Sequence, residues 1–238
     1  MAQAGRSEPV RVVLADHQPR VGSGLGVHAL PVIEAALAEL GVESRGGLEA
    51  VAVTPEGLEL RGGETIPAAT VVWCAGLRAH PLTAAFGVDL DRLGRLPVEN
   101  TLRVIGVPEV FDAGDVARAP IDPGHDSVMS CQHGRPMGRF AGHNVVADLL
   151  GQPLLPLHIP TYVTVVDLGP CGTLYTEGWD RQVVATGATA KATKRLINGV
   201  RIYPPAGGDR SALLAAAAPE RQTAQAVAPT PTAMTEPG

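Results

Sequence analysis

Aromatic residues make up only 3% of the 238 positions, so any core has to be assembled mainly from the alanine, valine and leucine of a 45% hydrophobic share. Cysteine is equally sparse. Cys74, Cys131 and Cys171 are too scattered to staple a disulfide-dependent fold and fit a reducing cytoplasm. No two of them form Cys-x-x-Cys, which excludes dithiol–disulfide exchange on this chain. An excess of basic residues is missing too: the net charge is −5, so there is no electrostatic footprint for nucleic acid. No apolar run approaches the roughly 18 residues of a spanning helix, and the first residues lack a signal-peptide core.

A glycine-rich phosphate loop is also absent. Gly22-Ser23-Gly24-Leu25-Gly26 comes nearest, but a dinucleotide fingerprint needs its glycines in the tight turn directly after a strand. Here His17 to Val21 intervene and the third glycine is misplaced, so the stretch reads as a flexible connection.

Against these absences stand 28 glycines and 21 prolines, which suit many short connections between strands and helices. Val10 to Asp16 is a near-continuous apolar run ending in an acid, the pattern of a parallel strand buried on both faces. Asp16 has two readings: it opens a polar turn with His17 and Gln18, or it holds a ribose at the strand end. A helix is expected over 28–40, with Leu30, Ile33, Leu37 and Leu40 as its stripe and Gly41 as its stop. Residues 48–53, 57–60 and 65–66 read as a small antiparallel insertion. Thr70 to Ala75 reads as a buried strand closing at Gly76, with Cys74 a small buried apolar residue. A short helix over 82–86 precedes a polar loop over 120–127. Strands over 162–168, 173–176 and 182–185 and a helix over 188–198 form a third unit. The helix carries Lys191, Lys194 and Arg195 on a basic face, and the tail from 206, rich in Ala, Pro, Thr and Gln, is expected to be disordered.

The centre of the sequence is Val110-Phe111-Asp112-Ala113-Gly114-Asp115-Val116-Ala117, read as a buried strand ending in Gly-Asp, followed by a long helix from Ser130 to Gly151. In open α/β sheets, ligands bind beyond the carboxyl ends of the strands. Gly114 lets a ligand approach the backbone, and Asp115 can accept from a sugar-like hydroxyl. The plainer reading of Gly-Asp alone is a strand-to-loop turn. Met137, Phe140, Val145 and Leu149 are the apolar positions of the long helix. Gly134, Gly138 and Gly142 recur every fourth residue, where they let a helix lie close to another backbone or a flat ring. Cys131, His133 and His143 are too few and too widely spaced for a metal site.

Taken together, T-L-R-V (101–104), V-F-D-A-G-D-V-A and S-C-Q-H-G-R-P-M-G-R-F-A-G-H-N-V-V-A-D-L-L-G resemble the second flavin-binding motif and following helix of two-dinucleotide flavoproteins. The chain is similar over about 10–205 to the pyridine nucleotide-disulfide oxidoreductase superfamily, in its NADH dehydrogenase type II-like branch. V-V-W-C-A-G-L-R-A upstream and G-W-D-R-Q-V, A-K-A-T-K and R-I-Y-P-P downstream fit as well.

The resemblance implies an α/β fold, an incomplete Rossmann-like two-dinucleotide flavoprotein with a small α+β C-terminal domain. Its expected divisions are a disordered 1–9, a partial NAD(P)-binding domain over 10–80, part of the FAD-binding domain over 81–151, an α+β domain over 152–205 and a disordered 206–238. It implies FAD and NAD(P)H as cofactors, and a quinone-like acceptor reached from NAD(P)H through FAD. Gly114 and Asp115 would bind FAD hydroxyls. Ser130, Cys131 and Gln132 would face the pyrimidine edge of the flavin ring, and Asp16 and Gly76 would serve the nucleotide. Gln132 and His133 are the acceptor-side candidates, although His133 also reads as a plain exposed first-turn histidine. Arg20 favours a 2′-phosphate, whereas Asp16 favours NADH.

The family's two G-x-G-x-x-G loops are missing, so the N-terminal flavin part is expected on a separate chain or lost to truncation. Losing those pyrophosphate anchors would weaken cofactor binding by several kcal/mol, on the order of a thousandfold. The alternative expectation is a non-catalytic remnant or partner-binding module, with or without residual NAD binding. Localisation is expected to be cytoplasmic with membrane contact peripheral at most, since the basic helix is short and the tail is not amphipathic.

Overall fold

The computed structural model describes residues 10–219, in two units that are treated separately: residues 10–74 with 163–196, and residues 75–162 with 197–219. The expectations for 1–9 and 220–238 lie outside the described residues.

The first unit opens on a β–α–β crossover. Strand β1 (Val13–Ala15) pairs in parallel with β2 (Glu43–Arg45), with Val13 opposite Glu43, and helix α1 (Leu30–Glu39) connects them. Pro31 in the first turn removes an N–H that has no helical partner there. The face of α1 built from Ala29, Leu30, Ile33 and Ala36 is buried, while Leu40 is exposed. Strand β1 is parallel, as its sequence suggested, but it is not buried on both faces: Val12 and Leu14 are exposed. Among the described residues β1 pairs with β2 alone.

The antiparallel insertion forms as expected: β3 (Ala50–Thr54), β4 (Gly57–Leu60) and β5 (Thr65–Pro67), in that order. A second three-stranded meander consists of β10 (Val163–Asp167), β11 (Thr173–Glu177) and β12 (Gln182–Ala185), covered by α3 (Gly187–Leu196). Strand β11 is the centre of that sheet, and Leu174 and Tyr175 are fully buried on it. Ala29 and Ile33 of α1 pack on Leu174, while Val163 and Ala190 pack with Tyr175. Lys191 and Lys194 of the basic face are tied down: the Lys191 ammonium donates to Asp167 (2.8 Å) and to the Gly169 carbonyl, and that of Lys194 donates to the Val165 carbonyl.

The strand expected over 70–75 does not form. The segment is irregular, and Val72, Trp73 and Cys74 are exposed. An apolar run becomes a strand only where a ladder partner receives its N–H and C=O groups. Among the described residues no strand pairs with it. Cys74 is therefore a surface thiol and not a buried apolar residue.

The second unit is held by one core, in which Leu96, Val98, Leu102, Val104 and Ala117 meet Met137, Phe140 and Ala141. Strand β6 (Leu96–Pro97) runs parallel to β7 (Ala117–Arg118). The polar loop expected over 120–127 contains instead a tight hairpin of β8 (Pro120–Asp122) and β9 (His125–Asp126). Its turn is stabilised by Asp122, which accepts from the Gly124 N–H. The long helix α2 (Cys131–Leu149) crosses the unit, and its Pro136 falls early in it. A short helix α4 (Arg210–Ala216), capped by Asp209 accepting from the Ala212 N–H, lies in the stretch expected to have no structure. No helix among the described residues is long and apolar enough to cross a membrane.

Candidate functional site

The site is assembled in the second unit from two backbone segments, a loop and the start of α2. The loop hangs from a tight turn in which the Leu102 N–H donates to the Glu99 carbonyl. Leu102 adopts φ 68°, a left-handed conformation costly for leucine, and its side chain is fully buried. Its carbonyl accepts from the Asp112 N–H at 3.0 Å, and Arg103 bridges to Phe111. The Arg103 guanidinium lies 4.6 Å from the centre of the Phe111 ring and donates to Asp148 of α2 at 2.6 Å. These contacts pin the loop from both ends of its approach.

The order of strand and Gly-Asp is the reverse of the expectation. Residues 110–113 are not a strand, because only Phe111 makes a ladder bridge. Gly114 stands in a bend at φ 85°, Asp115 is exposed in the turn, and β7 begins after them at Ala117. The backbone at Gly114 turns where a side chain would be strained, and space beyond it is open.

Helix α2 meets this bend. A Cβ placed on Gly134 would stand 3.5 Å from the Cα of Gly114, so loop and helix approach backbone to backbone. The other two glycines of the series behave differently: added Cβ atoms at Gly138 and Gly142 would meet nothing within 4 Å. Ser130 precedes the helix in extended conformation but does not cap it; its Oγ is buried with no hydrogen-bond partner.

His133 is fully buried, which overturns its reading as an exposed first-turn histidine. Its Nδ1 accepts from the Val128 N–H at 3.0 Å, so the ring proton sits on Nε2, and its ring stacks edge-on against Tyr162. Burial lowers its pKa to about 4, which keeps it neutral near pH 7. Cys131 is exposed at the first helical position and Gln132 is half-buried.

The residue the sequence reading missed is Asp112. Its Oδ1 accepts from the Ala113 N–H at 2.9 Å, while its Oδ2 is buried without a hydrogen-bond partner. Burial, only partly offset by that N–H, raises its pKa to about 6. The available signal was an acid embedded between the apolar Val110-Phe111 and Ala113.

Two buried polar atoms, Asp112 Oδ2 and Ser130 Oγ, therefore lie on the two segments that meet at Gly114 and Gly134. Such atoms cost about 1–3 kcal/mol each when left unmade. A polar ligand edge reaching these atoms from the open side of Gly114 would relieve that cost, and on this chemistry the residues fit the flavin that the resemblance implied.

The remaining candidates lie apart from this junction. Asp16, in the first unit, follows β1; its Oδ1 accepts from the Gln18 N–H (2.9 Å) and lies 3.2 Å from His17 Nδ1, the geometry of a polar turn. Gly76 is exposed in the irregular segment after Cys74. His143 is exposed further along α2 and borders an apolar depression of about 500 Å³ with Val146, Leu150 and Pro153. Among the described residues no group of three or more His, Cys, Asp or Glu is arranged to hold a metal ion.

Comparison with known proteins gives a consistent result. Residues 1–138 match the family described as pyridine nucleotide-disulphide oxidoreductase. An NADH dehydrogenase-like protein of Mycobacterium tuberculosis is 62% identical over 212 residues, covering 89% of this chain and 53% of that protein. A type II NADH:quinone oxidoreductase of the same organism is 36% identical over 127 residues, 48% of this chain and 26% of that protein. Against the 62% identical relative, the chain spans about half the length. Among solved structures, NDH2 of Plasmodium falciparum in complex with NADH superposes with a TM-score of 0.64 at 8% identity, covering 87% of this chain and 56% of that one. The sulfide:quinone oxidoreductase of Aquifex aeolicus gives 0.57 at 16% identity over 79% and 48%. At such identities the structural likeness speaks for the fold.

Proposed function

The chain belongs to the pyridine nucleotide-disulphide oxidoreductase family, in its NADH dehydrogenase-like branch, and from that premise we propose that it forms the flavin-ring side of an FAD-dependent NAD(P)H dehydrogenase with a quinone-like acceptor. The observation that carries this reading is the junction of loop and helix: Asp112 Oδ2 and Ser130 Oγ, on the two segments that meet at Gly114 and Gly134, are buried with no hydrogen-bond partner among the described residues. FAD, when bound, would supply the redox chemistry that links NAD(P)H to the acceptor.

The chain's own residues bind and orient. Gly114 keeps the loop backbone open to close approach, and exposed Asp115 offers its carboxylate to ligand hydroxyls. Ser130, Cys131 and Gln132 present the start of α2, where the helix dipole favours electron-rich groups. Neutral His133 receives the Val128 N–H, which fixes the segment leading into that helix; in this reading it positions Ser130 and Gln132. In the first unit Asp16 is the proposed ribose contact and Gly76 a second nucleotide contact. A chain carrying the family's glycine-rich loops is the proposed partner for the pyrophosphate.

The test is direct. The purified chain is incubated with FAD, alone and co-expressed with a neighbouring glycine-loop half, and freed of excess. Bound flavin is read in the visible spectrum, and NADH oxidation is then followed with a soluble quinone. A yellow, NADH-oxidising sample supports the proposal, and a colourless one in both formats defeats it. A partner-binding module without catalysis is the second reading, favoured by the exposed Val72 and Trp73 in a segment with no strand partner among the described residues. It predicts complex formation with no bound flavin.

A further inference from the structure

Asp112 is not needed for the fold's connections. Its backbone N–H already secures the loop to Leu102, and one carboxyl oxygen suffices for the Ala113 N–H. The second oxygen is buried with no hydrogen-bond partner among the described residues. Among the described residues no ion pair reaches it. Arg103 is committed to Asp148 and the Phe111 ring, Glu109 and Asp115 are exposed, and His133 on α2 is neutral with its Nδ1 occupied. Arg135 on the same helix is half-buried. Burial pushes the carboxyl up, and the Ala113 N–H pulls it only partly back.

A buried carboxyl without a counter-charge favours its neutral form, and in that form it is a hydrogen-bond donor. The pyrimidine edge of a flavin presents two carbonyl oxygens and one ring nitrogen that accept beside a single N–H that donates, and a neutral acid pairs with the acceptors.

We propose that Asp112, through the unpartnered oxygen it holds on the loop that meets α2 at Gly114 and Gly134, binds the flavin as a protonated acid, so that flavin binding by this chain is coupled to retention of one proton. The inference rests on the flavin reading above and adds to it a residue and a linkage. On binding, the carboxyl keeps its proton and donates it in a hydrogen bond to an acceptor on the ring edge; no covalent bond is made or broken. Above the range where the acid holds its proton, the same oxygen becomes an acceptor facing an acceptor, and affinity falls.

The experiment is a fluorescence titration of the full chain with FAD between pH 5 and 8, on the wild type, Asp112→Asn and Asp112→Ala, each first checked for folding by circular dichroism. With a carboxyl titrating at about 6, wild-type affinity should fall about tenfold between pH 5 and pH 7. Asp112→Asn keeps a donor at every pH and should bind near the wild type's low-pH affinity with a flat profile. Asp112→Ala should be flat and weaker. A profile in Asp112→Asn that tracks the wild type, or a wild-type affinity that is flat or rises with pH, overturns the proton linkage while leaving the flavin site standing. Absence of FAD binding by all three forms at every pH overturns the flavin reading itself, and the linkage with it.

Discussion

His133 and Asp112 bear opposite signs in the stability of the second unit. Burial lowers the histidine to about 4, below its unfolded value near 6.5, so its contribution is full above that value and is lost as pH falls toward 4. Burial raises the aspartate to about 6, above its unfolded value near 3.9, so its charged form destabilises the fold increasingly as pH rises through that range. The two windows overlap, and the wild type should show little net slope between about pH 4 and 6. Single variants expose each half. Asp112→Asn should be more stable than wild type at pH 7 by about 1–2 kcal/mol after allowance for solvent screening, and should lose stability on acidification. His133→Asn keeps an acceptor for the Val128 N–H, abolishes the acid loss, and should grow more stable as pH falls. Urea unfolding at a series of pH values measures both, and parallel curves for all three proteins would refute the pairing. Asp112 was legible only as an acid in an apolar run; nothing in the sequence told that one of its oxygens is buried, because that depends on α2 arriving at the bend.

At the scale of elements, α2 shows what periodicity conveys and where it stops. The helix and its start were legible, and Met137 and Phe140 do enter the core. Val145 and Leu149, expected to follow them, are exposed, and the positions buried beyond Phe140 are Ala141, Asn144 and Ala147. An amide is tolerated there because it is fully used: its Nδ2 donates to the carbonyls of Thr101 (2.8 Å) and Leu155 (2.9 Å), and its Oδ1 accepts from the Leu155 N–H (2.8 Å). Those partners lie 43 and 11 residues away, beyond any local pattern. Asn144→Ala should therefore cost about 2–3 kcal/mol, and Asn144→Asp at least as much, since a carboxylate cannot donate to two carbonyls. Thermal unfolding decides it, and a shift within error for both would mean the strut carries no weight. Gly138 and Gly142 face open space on the same helix, so replacing either by alanine should stabilise by about 0.5–1 kcal/mol through helix propensity. The hairpins and meander of the first unit were readable because their turn residues and alternation are local. The strands expected at 70–75 and 110–113 were not, because an apolar run announces burial and says nothing of a ladder partner.

For the molecule as a whole, the consequence is an apolar segment with no ladder. Val72 is 78% and Trp73 56% exposed, in an irregular segment that no strand among the described residues pairs with. Unpaired backbone groups flanked by apolar side chains are a template for strand addition by another chain. With a net charge of only −5 over 238 residues, repulsion between copies is weak. The chain alone should therefore associate with itself as concentration rises, and Trp73 emission should move to shorter wavelength as its ring leaves water. Val72→Lys places a charge on that edge without touching the core, so it should abolish both the association in sedimentation and the emission shift while the melting temperature stays put. Trp179, half-buried, supplies a constant background in both proteins. A wild type that remains monomeric at every concentration with unchanged emission would show that the segment is no docking edge. A glycine-loop partner half that protects Trp73 instead would make the same edge the seam of a two-chain flavoprotein.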